Sequence, residues 1–290
     1  MLDFYNFVKD NPVFRQFFVD ELLFTAYDCP IEVSPLDYWV DKNYFCYVTK
    51  GGAKWKTPKQ EYIFKVGDGA FLTKGAHRVF KILNGEFCAL LIFIPDEFIK
   101  SVVKDHLPSN QIKSCSKHSD TVIPLHLDRT LLDYFNSVLN YFSLRSAPSK
   151  DLLGIKFREL IINIMTQDHN PALTSYFIET SSSVKISLER VMEENFVFNL
   201  SMTDFAKLSG RSLATFNRDF SKKYGTSPGK WLKNKRLEYG KYLLETTNLN
   251  ISEITLDAGF ENTSHFVRVF KEKYKQPPLK LRKSFRNIYS

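Results

Sequence analysis

Arg218 and Arg268 stand in matching surroundings: shifted by fifty residues, Phe216-Asn217-Arg218-Asp219-Phe220 lies over Phe266-Val267-Arg268-Val269-Phe270. A guanidinium donates two parallel hydrogen bonds in a fixed fork, which fits the O6 and N7 atoms of guanine or the oxygens of a phosphate. If both stretches are helical, Leu213, Phe216 and Phe220 form an apolar anchor in the first copy, and Phe266 and Phe270 form it in the second. The residues left facing outward are Ala214, Thr215, Asn217, Arg218 and Ser221 in one copy and Thr263, Ser264, Val267, Arg268 and Lys271 in the other. Asn217 suits adenine, and Val267 suits a thymine methyl. An outward arginine on a basic helix is more often a phosphate contact or a plain surface residue than a base reader, and it is the repetition of the position that favours reading.

The elements that must hold these residues repeat as well. The match continues through Lys223/Lys273, Tyr224/Tyr274, Pro228/Pro278 and Lys230/Lys280, and upstream, at an offset of forty-nine, it pairs Gly210 with Gly259. Each copy reads as helix, glycine turn, helix, the grammar of a helix-turn-helix. Helices are expected at Val184–Asn195, Met202–Leu208, Leu213–Tyr224, Pro228–Thr246, Ile251–Asp257, Thr263–Tyr274 and Pro278–Lys283. Ser201, Ser212 and Ser227 are candidate N-caps, and Pro228 stands at a first helical position, where its missing N–H is no loss.

Charge follows the repeat. From Val184 onward there are 20 Lys+Arg against 11 Asp+Glu, net +9, whereas the preceding residues carry 20 against 21. A basic excess confined to one region is the footprint of a polyanion partner, because each neutralised phosphate releases condensed counterions. At 290 residues with 43% hydrophobic content the chain is long enough for two domains. No apolar run reaches the ~18 residues of a membrane span, and Met1-Leu2-Asp3-Phe4-Tyr5 lacks the pattern of a signal peptide. The expectation is a cytoplasmic protein with no membrane partner. Cys29, Cys46, Cys88 and Cys115 are widely spaced, which argues for reduced thiols and against a zinc site.

Between Phe17 and Pro95 the chain is rich in aromatic and β-branched residues and broken at short intervals by turn formers, the pattern of a β-sandwich or barrel. Asn84-Gly85, between Val79–Leu83 and Phe87–Ile94, predicts a two-residue hairpin. Beyond Pro95 the period turns helical: a short helix over Asp96–His106, a connector with an edge strand over Ile112–Leu127, then helices over Asp128–Leu144 and Lys150–Gln167. In the last of these Leu153, Phe157, Leu160, Ile161 and Ile164 form one stripe while Ile155 and Ile162 lie off it, so the helix buries two faces, either against a second subunit or within an intrachain bundle. Thr180-Ser181-Ser182-Ser183 is the expected linker.

The run Ile251-Ser252-Glu253-Ile254-Thr255-Leu256-Asp257-Ala258-Gly259-Phe260-Glu261-Asn262-Thr263-Ser264-His265-Phe266-Val267-Arg268-Val269-Phe270-Lys271 resembles the signature of the AraC/XylS transcription regulators. The first copy, with Thr226-Ser227-Pro228 and the Trp231-to-Leu244 helix containing Arg236-Leu237, follows the same family pattern. The resemblance implies two helix-turn-helix units, joined by the long helix, that enter successive major-groove faces on one side of double-stranded DNA. It places the base-facing positions on Ala214, Asn217 and Arg218 and on Ser264, Val267 and Arg268. Three residues depart from the pattern: Arg211 replaces an apolar residue, Thr255 replaces alanine, and Lys275 stands where glycine is usual.

The N-terminal half resembles the cupin-like sensor domains that precede this module, in layout more than in motif. The fold class expected is therefore α+β with two domains: residues 1–180 a cupin-like β-barrel or sandwich with helices, for sensing and dimerisation, and residues 184–290 all-α with two helix-turn-helix motifs. His77 is the sole histidine between Phe17 and Pro95, too few for a cupin metal site, and reads as a structural hydrogen-bonding residue. Tyr38, Trp39, Tyr44, Tyr47, Trp55 and Tyr62 offer pocket walls or core, and barrel alternation lets about half of them face inward. The function expected is a sequence-specific regulator, an activator or a repressor, controlled by an effector that is either a small molecule or a protein. A homodimer and RNA polymerase are the other expected partners. No cofactor, metal or catalytic residue is assigned. A cupin-type isomerase or a repair methyltransferase fused to the module is the rival class; the first lacks metal ligands and the second lacks an acceptor cysteine with the right flanks.

Overall fold

Alternation of apolar residues draws the N-terminal half into one sheet, nine-stranded among the described residues. The computed structural model describes residues 1–30, 34–106, 120–144, 146–182 and 187–286, and the chain divides into units Met1–Lys185 and Ile186–Ser290. The first unit runs β1 (Leu2–Asp3), α1 (Phe4–Lys9), β2 (Arg15–Val19), β3 (Leu22–Asp28), β4 (Leu36–Val40), β5 (Asn43–Lys56), β6 (Glu61–Lys65), β7 (Gly69–Leu72), β8 (Gly75–Ile94), α2 (Asp96–His106), β9 (Val122–Pro124), α3 (Arg129–Tyr141), α4 (Lys150–Thr166) and α5 (Pro171–Ser181).

The antiparallel β5–β8 ribbon is its spine. One half of β5 (43–50) pairs with β7 and with the end of β8; the other half (52–56) pairs with β6 and with the start of β8. In turn β8 carries β4 on its first half and β3 on its second. The ribbon bends where the register jumps from Gly51↔Phe87 to Gly52↔Ile82, leaving four extra residues on β8. This overturns the hairpin expected at Asn84-Gly85: Val79–Ile82 and Phe87–Ile94 both pair with β5 and not with each other. A long ready partner outweighs a local turn signal, and the surplus residues become a bulge.

Side chains alternate across the ribbon. Phe24, Phe45, Tyr47, Phe71, Leu90 and Ile92 face α2 to α5 and bury Ile99, Val102, Phe135, Phe157, Leu160 and Phe177. Tyr27, Tyr38, Tyr44, Trp55, Phe64 and Phe93 fill the concave face together with Phe4 and Tyr5 of α1. The cavity left among Phe4, Tyr27, Tyr38, Tyr44, Trp55 and Phe87 is about 30 Å³, room for one or two water molecules. Trp55 Nε1 donates to the Tyr38 hydroxyl at 2.9 Å, which shares a hydrogen bond with the Tyr44 hydroxyl. His77 is buried, with Nε2 bonded to the Thr73 carbonyl at 2.8 Å, and burial pulls its pKa down to about 4, so the ring is neutral. Of the six expected wall residues, Tyr38, Tyr44 and Trp55 line the cavity; Tyr47 stacks on Phe135 instead, and Tyr62 donates to Asp120 at 2.8 Å.

Helices α1 and α5 were not expected from the sequence, and α3 ends at Tyr141, short of Leu144. The expected connector supplies edge strand β9 on β7, while residues 112–119, Cys115 included, lie outside the described residues. The expected linker is displaced: Thr180 and Ser181 belong to α5 and Ser182 caps it, whereas Ser183 and Val184 lie outside the described residues.

The second unit runs α6 (Leu188–Asn195), α7 (Met202–Leu208), α8 (Leu213–Tyr224), α9 (Pro228–Thr246), α10 (Ile251–Asp257), α11 (Thr263–Tyr274) and α12 (Pro278–Arg286). Ser201, Ser212 and Ser227 each accept a backbone N–H at their helix starts. Both α8 and α11 end in a left-handed residue whose N–H bonds back four residues: Gly225 with φ 64° and Lys275 with φ 63°. The second copy thus keeps the conformation after losing the glycine, and Lys275 carries the steric strain of a Cβ there.

Lys275→Gly is therefore expected to stabilise the C-terminal unit by roughly 1 kcal/mol, and Gly225→Ala to destabilise it by a similar amount. Urea unfolding of the intact chain reads both, and a Lys275→Gly variant no more stable than the unmutated chain refutes the strain. A Cβ on Gly51 collides with the Glu86 carbonyl at the ribbon bend, and φ there is +69°. Gly51→Ala should cost roughly 2 kcal/mol or more in the N-terminal unit; a change below about 0.5 kcal/mol means that the bend does not need glycine.

Candidate nucleic-acid interface

Each recognition helix begins on a side-chain cap. Ser212 Oγ accepts the Thr215 N–H at 3.2 Å and donates to Thr215 Oγ1 at 2.9 Å, and Asn262 Oδ1 accepts the His265 N–H at 3.0 Å. Phe216 and Phe220 of α8 and Phe266, Val269 and Phe270 of α11 are buried. Leu213 departs from expectation: at the first position of α8 it is 40% exposed and is not part of the anchor. The outward sets are otherwise placed as the helical period requires. Ala214, Asn217, Arg218, Ser221, Ser264, Arg268 and Lys271 are exposed, and Thr215, Thr263 and Val267 are half-buried.

Both repeated arginines lie beside a carboxylate of their own helix. Arg218 Nε is 3.6 Å from Asp219 Oδ1, and Arg268 Nη1 is 3.0 Å from Glu272 Oε1. Exposed pairs of this kind contribute about 0–1 kcal/mol, so either fork is readily released to another acceptor. Arg211, unexpected in its place, donates to the Ser209 carbonyl at 2.8 Å and to Asp219 at 3.4 Å, binding the turn of the first unit to its recognition helix. Thr255 is buried and returns its hydroxyl proton to the Ile251 carbonyl at 2.7 Å. Arg211 thus ties the turn to its recognition helix, while the Thr255 hydroxyl is satisfied within its own helix.

Helix α9 fixes one helix-turn-helix relative to the other. Its Arg236 donates from Nε to the Phe196 carbonyl at 2.6 Å and from Nη2 to the Phe198 carbonyl at 2.7 Å, and burial pulls its pKa down to about 10. Gly259, in the second turn, lies against this clamp: a Cβ there meets the Val197 carbonyl oxygen at 2.6 Å and Arg236 Nε at 2.9 Å. From its spacing Gly259 has only a turn to make, and nothing in the sequence announces this close approach. Gly240 of α9 gives Phe266 similar room, a Cβ meeting its ring at 2.9 Å. At the end of α11, Lys273 Nζ donates to the Asn234 carbonyl at 3.2 Å and to Glu238 at 3.0 Å.

Among the described residues no three His, Cys, Asp or Glu side chains converge as a metal site, and no helix is long and apolar enough to cross a membrane.

Residues 43–176 match the family described as the ExsA N-terminal regulatory domain, and residues 205–284 match the helix-turn-helix domain family. The virulence regulon transcriptional activator VirF of Yersinia enterocolitica is 25% identical over 236 residues, 80% of this chain and 86% of that protein. The HTH-type transcriptional regulator ExsA of Pseudomonas aeruginosa is 28% identical over 131 residues, 45% of this chain and 47% of its own. Among solved structures, ToxT of Vibrio cholerae aligns over 90% of this chain and 97% of its own, at 16% identity and a TM-score of 0.41. With two helix-turn-helix units built around one clamped helix, preceded by a regulatory domain, the chain belongs to the AraC/XylS family of DNA-binding transcription regulators.

Proposed function

We propose that α8 and α11 enter successive major-groove faces of duplex DNA and that Arg218 and Arg268 read one guanine each. The observation that carries this reading is the pair of exposed arginines at one repeated position, each on a helix held by buried phenylalanines. Asn217, Ala214, Ser264 and Val267 flank them on the same outward faces, and Thr215, Ser221, Thr263 and Lys271 complete the contact surface. The basic excess of the second unit draws the protein to DNA, and the side chains select the sequence. The similarity to transcription regulators supports a binding protein over an enzyme, working in the cytoplasm beside the chromosome.

The N-terminal unit receives the regulatory signal and pairs two copies of the chain. Support for pairing comes from α4, where Ile155 is 62% exposed and Leu152 is 39% exposed on a helix whose opposite stripe is buried. Ile162, expected on the same free face, is half-buried and packs against the core, so it does not belong to the contact.

Alanine at Arg218 or Arg268 should weaken binding at the preferred site by roughly 1–3 kcal/mol and relax one base position each, the two lying about 10 bp apart. Lys222→Ala or Lys233→Ala should weaken binding to every sequence alike and lower the salt slope by about one unit. Selection from randomised duplexes, followed by anisotropy titration across salt, measures all four; equal loss on every sequence for Arg268→Ala shows that it only positions the protein. For pairing, Ile155→Lys should raise the dimer dissociation constant about tenfold or more at unchanged melting temperature. Sedimentation that finds the unmutated chain monomeric at tens of micromolar, roughly the order of affinity at issue, counts against the contact.

A further inference from the structure

We propose that Leu213 is a base-reading residue that packs on the C5-methyl group of a thymine. The proposal rests on the reading of α8 as a recognition helix. Recognition helices meet base edges mainly through their N-terminal residues, and Leu213 is the first residue of α8, with 40% of its surface in water. Four-residue spacing sets it in one row with Asn217 and Ser221, both exposed, beside the Ala214 and Arg218 row. Under the fifty-residue shift it corresponds to Thr263, which begins α11 in the same way.

The chemistry of that first turn is restricted. Thr215 is half-buried and its hydroxyl is drawn into the Ser212 cap. The outward side chains that remain are Leu213 and Ala214, neither of which hydrogen-bonds. The thymine methyl is the apolar group on the major-groove edge of B-DNA, so an apolar front selects thymine there. The second copy opens with Thr263 and Ser264 and is apolar further along, at Val267, directly before Arg268. Leu213 precedes Arg218 by five residues, about 7.5 Å of helix, so the thymine and guanine read by α8 should stand further apart than those read by α11.

The test uses the full chain and the duplex it selects from a random pool. Each thymine is replaced singly by deoxyuridine, which lacks the methyl and keeps every hydrogen-bonding group. In the half-site facing α8, one such replacement should weaken the unmutated chain roughly threefold to tenfold. Leu213→Ala should bind the thymine duplex more weakly by a similar factor and be indifferent to that replacement, and Leu213→Ile should restore the sensitivity. Because the residue is exposed, the alanine variant should melt with the unmutated chain, and its preference for the guanine read by Arg218 should persist. If Leu213→Ala keeps the full deoxyuridine penalty while Arg218→Ala relaxes its guanine, the thymine contact is overturned and the recognition helix stands. If Arg218→Ala relaxes nothing either, α8 does not read DNA and both readings fall together.

Discussion

The guanidinium of Arg236 is the point on which the geometry of the DNA-binding unit turns. It is half-buried in α9 and donates to the carbonyls of Phe196 and Phe198 as the chain leaves α6, the latter carbonyl also accepting the Leu200 N–H at 2.9 Å. Its pKa stays near 10, so the charge persists at neutral pH and each bond is charge-assisted. Losing the donor is destabilising, because a desolvated carbonyl left without it keeps its desolvation penalty. The same side chain backs the Gly259 turn. Three segments therefore meet at one fork: the approach to the first helix-turn-helix, the linking helix, and the turn of the second.

That junction gives the interface its rigidity. A recognition helix placed an ångström out of register loses the bidentate geometry that separates reading from mere attraction. The remaining ties act at the rim of the same joint. Phe266 nests over Gly240, Lys273 holds the end of α11 to α9, and Phe220, Tyr224 and Trp231 pack where α8 turns into α9. Lysine at 236 would keep the charge and lose the fork, since an ammonium lacks the planar arrangement that reaches two carbonyls at once.

The C-terminal unit was legible because its local signals agree with one another: caps, glycine turns, apolar spacing and an internal repeat all point to the same helices. Leu213 departs from the expected anchor: positions 213, 216 and 220 fit one apolar stripe, and spacing alone does not say that a first-turn side chain swings out of the core. Arg236 lay inside a recognisable run, but a clamp on carbonyls forty residues away leaves no trace in spacing. In the N-terminal half, Asn84-Gly85 signalled a turn correctly in local terms and lost to β5, a partner that no local window contains. Helix α5 starts at Asn170-Pro171 without a side-chain cap bond, and its serines and threonines weaken the periodic signal. Half of the six aromatic residues expected as pocket walls do line the cavity, as a period of two dictates, but only the folded register says which half.

The aromatic filling of the concave sheet has a thermodynamic corollary. The ring of Phe4 lies 4.7 Å from Tyr38, 5.8 Å from Tyr44 and 6.0 Å from Phe93 by centroid, with Tyr44 5.1 Å from Phe93, and together they occupy the space a ligand would need. A molecule larger than a few atoms is admitted only by a rearranged minority of the population, and its measured affinity is the intrinsic affinity scaled down by that fraction. Each 1.4 kcal/mol of opening free energy is about a tenfold rise in the concentration at which such a molecule acts. The packing of a few aromatic rings thereby sets a threshold: for any molecule that enters this face, substitutions that loosen the packing lower the concentration at which it acts.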